Sequence, residues 1–242
     1  MRPTVAVLHH LESPFSGHAG RALELGGVAI EHRDLRHGAA LPAAREVDGL
    51  LSLGGEQSVR ELDSHPYLEA EVGLLREAAH AGVPVLGVCL GGQLLAHALG
   101  GRVARLSRRT VGWRELRPLA AARDDACFSS LPAPAMALHW NEDGFSLPRG
   151  AVELAAPAGP ACEAFRHGDA AWGIQFHPEV DAEVLESWYR SEAGWLEEAG
   201  VSEAEARAAD ARHLGAQASL GTALFGAFAA VVRERAAAGV RA

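Results

Sequence analysis

The chain has 242 residues, of which 48% are hydrophobic and 22% charged, with a formal net charge of −9. That length is enough to bury a sizeable core, and the acidic balance weighs against nucleic acid or an anionic membrane surface as the main partner. All 22 basic residues are arginine, which excludes lysine Schiff-base chemistry and the Gly-Lys-Ser/Thr phosphate loop.

Short apolar runs alternate with helical patterns through the first hundred residues. Strands are expected over 4–10, 28–35, 47–55 and 83–89, and helices over 17–26 and 64–81, the latter with Ser64 as N-cap and Pro66 just inside. Several of these strands are apolar almost throughout, as in a parallel sheet covered on both faces. The rhythm predicts an α/β fold: a doubly wound, mostly parallel, flavodoxin-like sheet. From residue 101 the pattern changes to short runs at 101–106, 111–118, 135–140, 151–156, 162–168 and 170–176, read as antiparallel additions. The first 180 residues form the expected main domain. Residues 181–242 form an expected helical pair packed on it, with apolar faces at Val184, Leu185, Trp188, Tyr189 and Leu196, and at Leu220, Leu224, Phe225, Phe228, Val231 and Val232. Ser202 and Glu205 suggest a capping box for the last helix.

Leu214 to Val232 carries no charge but includes Gln217, Ser219, Thr222 and three glycines, so a packed helix is expected there rather than a membrane span. Three cysteines make no disulfide framework, and the N-terminal apolar run is too short for a signal-peptide core. A cytoplasmic location is expected. No spaced Cys/His cluster suggests a metal, and no cofactor is expected.

"PVLGVCLGGQLLAHALG" places Cys89 where a strand ends and a helix over 91–100 begins. A nucleophile at such a junction must project from a tight turn, and Gly87 and Gly91 supply the room. The helix N-terminus favours a thiolate, and the Leu90 N–H points where an oxyanion would form. In "GIQFHPE", His177 and Glu179 stand two apart, on one face of an extended chain. A histidine held by a carboxylate near a cysteine is the activated-nucleophile arrangement. "LSLGGEQSV" ends a strand in paired glycines, and Gly55 could donate a second N–H to an oxyanion. Cys127 and Cys162 lack such surroundings. His139, His97 and the pair His9-His10 read as structural or surface histidines.

Together "SLGGEQSV", "PVLGVCLGGQLLAHALGG" and "GIQFHPEV" resemble the class I, triad-type glutamine amidotransferases, closest to stand-alone proteins similar to the glutaminase domain of GMP synthase. The resemblance covers residues 45–180 well and the first 45 loosely. It implies Cys89 as nucleophile, His177 as proton carrier, Glu179 as its orienting partner, and Gly55 and Leu90 as oxyanion donors. It also implies Gln93 as a contact of the bound amino acid. "ALHWNEDGFSLP" departs from the Ser-His-Gly-Asp usual in GMP synthases; Trp140 and Asn141 are its candidate substrate contacts, or else a core tryptophan beside a polar turn. The implied substrate is glutamine or another γ-glutamyl compound, with ammonia going to an acceptor or to a separate synthetase subunit. A γ-glutamyl hydrolase or peptidase is the alternative. A redox-sensing thiol is a third reading, against which the His177–Glu179 pair counts. The five aromatic residues from Trp188 to Phe228 suit a partner or homodimer surface, or a cover for the sheet, which is preferred.

Overall fold

The computed structural model describes residues 2–11, 17–156 and 161–239. Its strands are β1 (Thr4–His9), β2 (Ala29–Asp34), β3 (Gly49–Ser52), β4 (Val85–Val88), β5 (Val103–Pro118), β6 (Ala135–Phe145), β7 (Val152–Ala156), β8 (Ala164–His167) and β9 (Ala171–Ile174). They form one nine-stranded sheet in the order β2-β1-β3-β4-β9-β8-β7-β5-β6. The pairings from β2 through β9 are parallel and the remainder antiparallel.

Alternation along the strands divides the core into two layers. Val5, Val7, Leu51, Leu86 and Val88 face α1 (Gly17–Leu25) and α6 (Glu203–Ala237), where Leu23, Leu224, Phe225 and Phe228 meet them. Ala6, Leu8, Leu50 and Val85 face α2 (Pro66–Ala81) and α3 (Leu90–Ala98), packing on Leu68, Leu75, Leu94 and Leu95. A third, smaller cluster joins β6 to α4 (Ala182–Ser191) and α5 (Ala193–Ala199) through Leu138, Trp140, Val184, Leu185, Trp188, Tyr189 and Leu196.

Four local readings of the sequence need correction. Ser64 closes a 3-10 turn, and His65 is the residue that precedes α2, with Pro66 at its first position. The runs at 101–106 and 111–118 are one strand, β5, because a bulge between Arg105 and Thr110 absorbs the polar "LSRR" segment without breaking the pairing to β6. Strand β6 continues past Trp140 to Phe145, whose buried ring packs edge-on against Phe165. The tail holds three helices rather than a pair, with α5 closed by Gly200 at φ 67°. The capping box at Ser202 and Glu205 forms as read.

The charge-free stretch lies in α6. By length and composition this helix could cross a bilayer, and half of its most apolar window is buried within the fold. Its inward residues Leu220, Leu224, Phe225 and Phe228 are at most 1% exposed. The five aromatic residues of the tail follow: Trp188, Tyr189, Phe225 and Phe228 are buried, and Trp195 is half-buried.

Phe228 stands edge-on to Trp172 beneath the sheet. Phe228→Ala should destabilise the chain by about 3–5 kcal/mol, the cost of a large vacated core site. Leu25→Ala, at a side chain 76% exposed, should cost less than about 0.5 kcal/mol. Urea unfolding monitored by circular dichroism separates the two.

Candidate active site

Parallel pairing sets Leu8, Ser52, Gly87 and Gly173 side by side across four strands. The residues that follow them therefore emerge along one edge: His9 and His10 after Leu8, Leu53 to Glu56 after Ser52, Cys89 after Val88, and Gln175 to Glu179 after β9. Between β1 and β3 the strand order reverses. In an open α/β sheet that reversal leaves a crevice at the carboxyl ends of the strands, where ligands bind.

Cys89 sits at φ 50°, ψ −106°, and is the one non-glycine residue with positive φ among the described residues. A conformation of this kind costs on the order of 1–3 kcal/mol and persists only where its surroundings over-determine it. Here the Cys89 N–H donates to the Ile174 carbonyl at 2.8 Å, and its own carbonyl accepts from the Gln93 N–H at 2.9 Å. A Cβ on Gly87 would run into the Gly91 carbonyl, and one on Gly91 into the carbonyl and hydroxyl of Ser52. Gly87 thus makes room across the turn, and Gly91 makes room against β3. The Leu90 N–H begins α3, where no intrahelical acceptor exists.

His177 Nδ1 lies 2.7 Å from Glu179 Oε1, and both residues are at most 5% exposed. The segment is held from behind. The Glu179 carbonyl accepts from the His18 N–H at 2.8 Å, and the Gln217 side chain of α6 donates to the His177 carbonyl. Gly221 of α6 lies so close to the Pro178 carbonyl that any Cβ there would clash. The imidazole and Cys89 meet over Gly54: His177 Cε1 and Cys89 Cβ lie 3.1 and 3.7 Å from where a Gly54 Cβ would stand. Burial works against a charged ring, yet the Cys89 sulfur and the Glu179 carboxylate outweigh it and raise the His177 pKa well above the ordinary imidazole range. Nε2, the ring nitrogen that Glu179 does not use, has no hydrogen-bond partner among the described groups.

A cavity of about 170 Å³ opens over this group, lined among others by Gly54, Gly55, Cys89, Trp140, His177 and Glu179. Gly55 is tightly placed, with His10 Cβ at 2.6 Å and Leu90 Cδ2 at 2.7 Å from a would-be Cβ. Trp140 lines the cavity, its carbonyl 3.9 Å from the Cys89 sulfur and its indole N–H donating to Glu192 at 2.8 Å. Gln93 and Asn141 do not line it. Both side-chain amides donate to the Asp143 carbonyl, at 3.1 and 3.0 Å, and Gln93 also donates to Gln175 Oε1. The family resemblance offered Gln93 and Asn141 as substrate contacts, and in the structure both amides are paired with the Asp143 carbonyl instead and lie outside the lining of this cavity.

Other residues at the site drew no site reading from the sequence. Gln175 donates to the Cys89 sulfur at 3.5 Å. Trp188 meets the His177 ring edge-on at 4.9 Å between centroids. His9 and His10 are buried and line the cavity, so neither is a surface histidine, and His139 is buried against Glu163 at 2.7 Å. The other two thiols are remote from this chemistry: burial raises the Cys127 pKa well above the usual range and pushes Cys162 up to about 12. Among the described residues no group of three or more His, Cys, Asp or Glu side chains is arranged to hold a metal ion.

The sequence matches the family model of class-I glutamine amidotransferases over residues 21–189, more than half the chain. It is 31% identical over 164 residues to the glutamine amidotransferase-like protein YfeJ of Salmonella typhimurium, covering 66% of this chain and 69% of that one. It is 36% identical over 161 residues to the glutamine-hydrolysing GMP synthase of Leifsonia xyli, covering 63% of this chain but 31% of the synthase. The chain thus spans about a third of the length of that relative. The fold superposes on a glutamine amidotransferase structure from Methylobacillus flagellatus with a TM-score of 0.83 at 26% identity, over 96% of this chain and 95% of that one. A glutamine amidotransferase from Thermotoga maritima gives the same TM-score at 24% identity, over 95% and 99%, a likeness of fold. By sequence and by fold, the chain belongs to the class-I glutamine amidotransferases.

Proposed function

We propose that the chain hydrolyses the side-chain amide of glutamine through Cys89, His177 and Glu179. The observation that carries this reading is the strained, positive-φ Cys89 beside a buried imidazole whose other nitrogen is occupied by a carboxylate. The sulfur attacks the amide carbon. His177 takes the thiol proton and passes it to the departing ammonia, while Glu179 fixes the ring and stabilises its charged form. The N–H groups of Gly55 and Leu90 receive the negative charge of the tetrahedral intermediate, one such donor being worth roughly 3–4 kcal/mol in related acyl transfers. Water then cleaves the γ-glutamyl thioester to glutamate. The ammonia passes to an acceptor, held by a separate synthetase subunit or simply the solvent. Three free thiols suit a cytoplasmic setting.

One observation favours a second reading, hydrolysis of γ-glutamyl amides larger than glutamine. The lining of the cavity also includes Trp140, Val184, Trp188 and Trp195 together with Glu56 and Glu192. Aromatic walls beside carboxylates accommodate an organic amine as a leaving group better than they serve ammonia alone.

Cys89→Ala should remove amide hydrolysis while leaving the unfolding midpoint near that of the parent chain. Full activity in this variant rejects the mechanism. The glutamine mimic 6-diazo-5-oxo-norleucine should alkylate Cys89 and spare Cys127 and Cys162, as peptide mass mapping would report. The raised proton affinity of His177 depends on the Cys89 sulfur and the Glu179 carboxylate, so Cys89→Ala and Glu179→Gln should each lower its pKa, read from the ring resonances by NMR. A panel of glutamine and γ-glutamyl amines, with ammonia and glutamate both quantified, separates the two readings: equal release of both from glutamine alone supports the first.

A further inference from the structure

The Cys89 sulfur has a neighbour that the proposed reaction does not use. Gln175 Nε2 donates to it at 3.5 Å, and Gln175 is only 2% exposed. A side-chain amide can turn either end toward a sulfur, and the two ends act oppositely. Its N–H favours negative charge there, and its carbonyl opposes it. The Trp140 carbonyl, the sulfur's acceptor at 3.9 Å, already favours the protonated thiol. The direction of the Gln175 amide is therefore decisive.

That direction is set by a chain of hydrogen bonds that begins at a backbone carbonyl. The Asp143 carbonyl can only accept, and it takes the side-chain N–H groups of Gln93 at 3.1 Å and of Asn141 at 3.0 Å, one for each lone pair. Gln93 is thereby fixed with Nε2 inward, and the same nitrogen also donates to Gln175 Oε1 at 3.3 Å. With its oxygen engaged by Gln93, Gln175 turns Nε2 to the sulfur. All the polarity runs one way, from Asp143 through Gln93 and Gln175 to Sγ, and each of these residues is buried. The backbone keeps the two ends together. The Gln175 N–H donates to the Glu163 carbonyl at 2.9 Å, and the Ile174 carbonyl accepts from the Cys89 N–H. A Cβ on Gly92 would stand 2.5 Å from that Ile174 carbonyl, so α3 and the end of β9 meet backbone to backbone.

We propose that Gln175 is a further catalytic residue, the hydrogen-bond donor to the Cys89 thiolate, and that Gln93 is a positioning residue that keeps the Gln175 amide turned N–H first. This rests on the reading of Cys89 as the nucleophile. When His177 takes the thiol proton, the electron pair left on sulfur meets a donor already in place. When water cleaves the thioester, the C–S bond breaks, the pair returns to sulfur, and the same N–H receives it again. A hydrogen bond to a charged group is stronger than one to a neutral group, so this contact favours the anion over the thiol.

The test uses Gln175→Met, which keeps the bulk of the side chain and removes its amide, beside Gln93→Met and the double variant. The readout is the rate of Cys89 alkylation by iodoacetamide across pH, assigned by peptide mass mapping. Gln175→Met should move the midpoint of that profile upward and slow alkylation below it by roughly 10–100-fold, the range for losing a hydrogen bond to a charged group. At high pH its rate should reach or exceed the parent's, because a thiolate that binds its proton more tightly is the better nucleophile. Gln93→Met should shift the midpoint in the same direction, and the double variant no further than Gln175→Met alone, since the one residue acts through the other. An unmoved midpoint in Gln175→Met, a rate lowered equally at every pH, or additive shifts in the double variant overturns the proposal. Should Gln175→Met not fold, Gln175→Glu keeps the shape and the oxygen that Gln93 uses but sets a carboxylate against the sulfur. It should raise the midpoint as well, and an unmoved one overturns the proposal. A parent chain that never turns over glutamine would reject the proposed reaction, while the alkylation profile still judges Gln175.

Discussion

The backbone of Cys89, bent into positive φ between β4 and α3, is the constraint around which the molecule is arranged. Left to itself that conformation relaxes, at a gain on the order of 1–3 kcal/mol. It is held because β4 lies between β3 and β9, with all four of its residues buried and both edges paired. Glycines at 87, 91 and 92 let α3 press against β3 and β9 at distances no side chain would permit. The strain and the close packing are one feature. A larger residue at any of these positions would push α3 outward, and the cysteine with it.

The histidine side is secured differently, by long-range packing. Residues 177–179 follow a short strand and have no ladder of their own beyond the His177 N–H, which donates to the Leu138 carbonyl at 2.8 Å. The His177 and Glu179 carbonyls are held by Gln217 of α6 and the His18 N–H of α1, elements far apart in sequence. This gives a physical account of the uncharged stretch of α6. Gln217 must reach the His177 carbonyl and Gly221 must approach Pro178, while the residues between and beyond them cover the sheet. Charge anywhere on that inward face would be buried without a partner.

Much of this was legible in the chain. The apolar strands, the Gly-x-Cys-x-Gly turn and the His-x-Glu pair each carry their own spacing rule, and each rule corresponds to a backbone geometry that the structure contains. What spacing does not carry is the direction of a polar side chain once the chain is folded. The family resemblance offered Gln93, one helical turn past Cys89, as a substrate contact, yet its amide is satisfied by the Asp143 carbonyl and Gln175 Oε1. Asn141 behaves likewise. Glu71 left no trace, since one acidic residue within an amphipathic helix looks like surface until its partners, Ser52 and His10, 19 and 61 residues away, are brought to it. The bulge in β5 was hidden for a related reason: polar residues in an edge ribbon do not break pairing when one strand can take up the excess.

The two histidine–carboxylate pairs raise a question of energetics that sharpens the functional reading. Removing charges from water costs several kcal/mol per ion, and a well-made pair in the interior roughly recovers that cost without adding stability. A fold seeking only stability would fill these positions with leucine or methionine. This chain instead places His177 with Glu179 beyond β9, and His10 beyond β1 with Glu71 of α2, all at most 5% exposed, and His10, His177 and Glu179 line one cavity. Other carboxylates are buried too, Asp125 beside Arg166 and Trp172 and Asp143 beside Ser58 and Arg60, while the Arg105–Glu142 and Arg207–Glu186 pairs lie nearer the surface. Two buried histidine–carboxylate pairs therefore lie close to the Cys89 turn. In a site shielded from water those interactions act at low dielectric, where a fixed imidazolium or N–H is worth far more than at the surface. The stability forgone at these four residues is the physical counterpart of the strain held at Cys89.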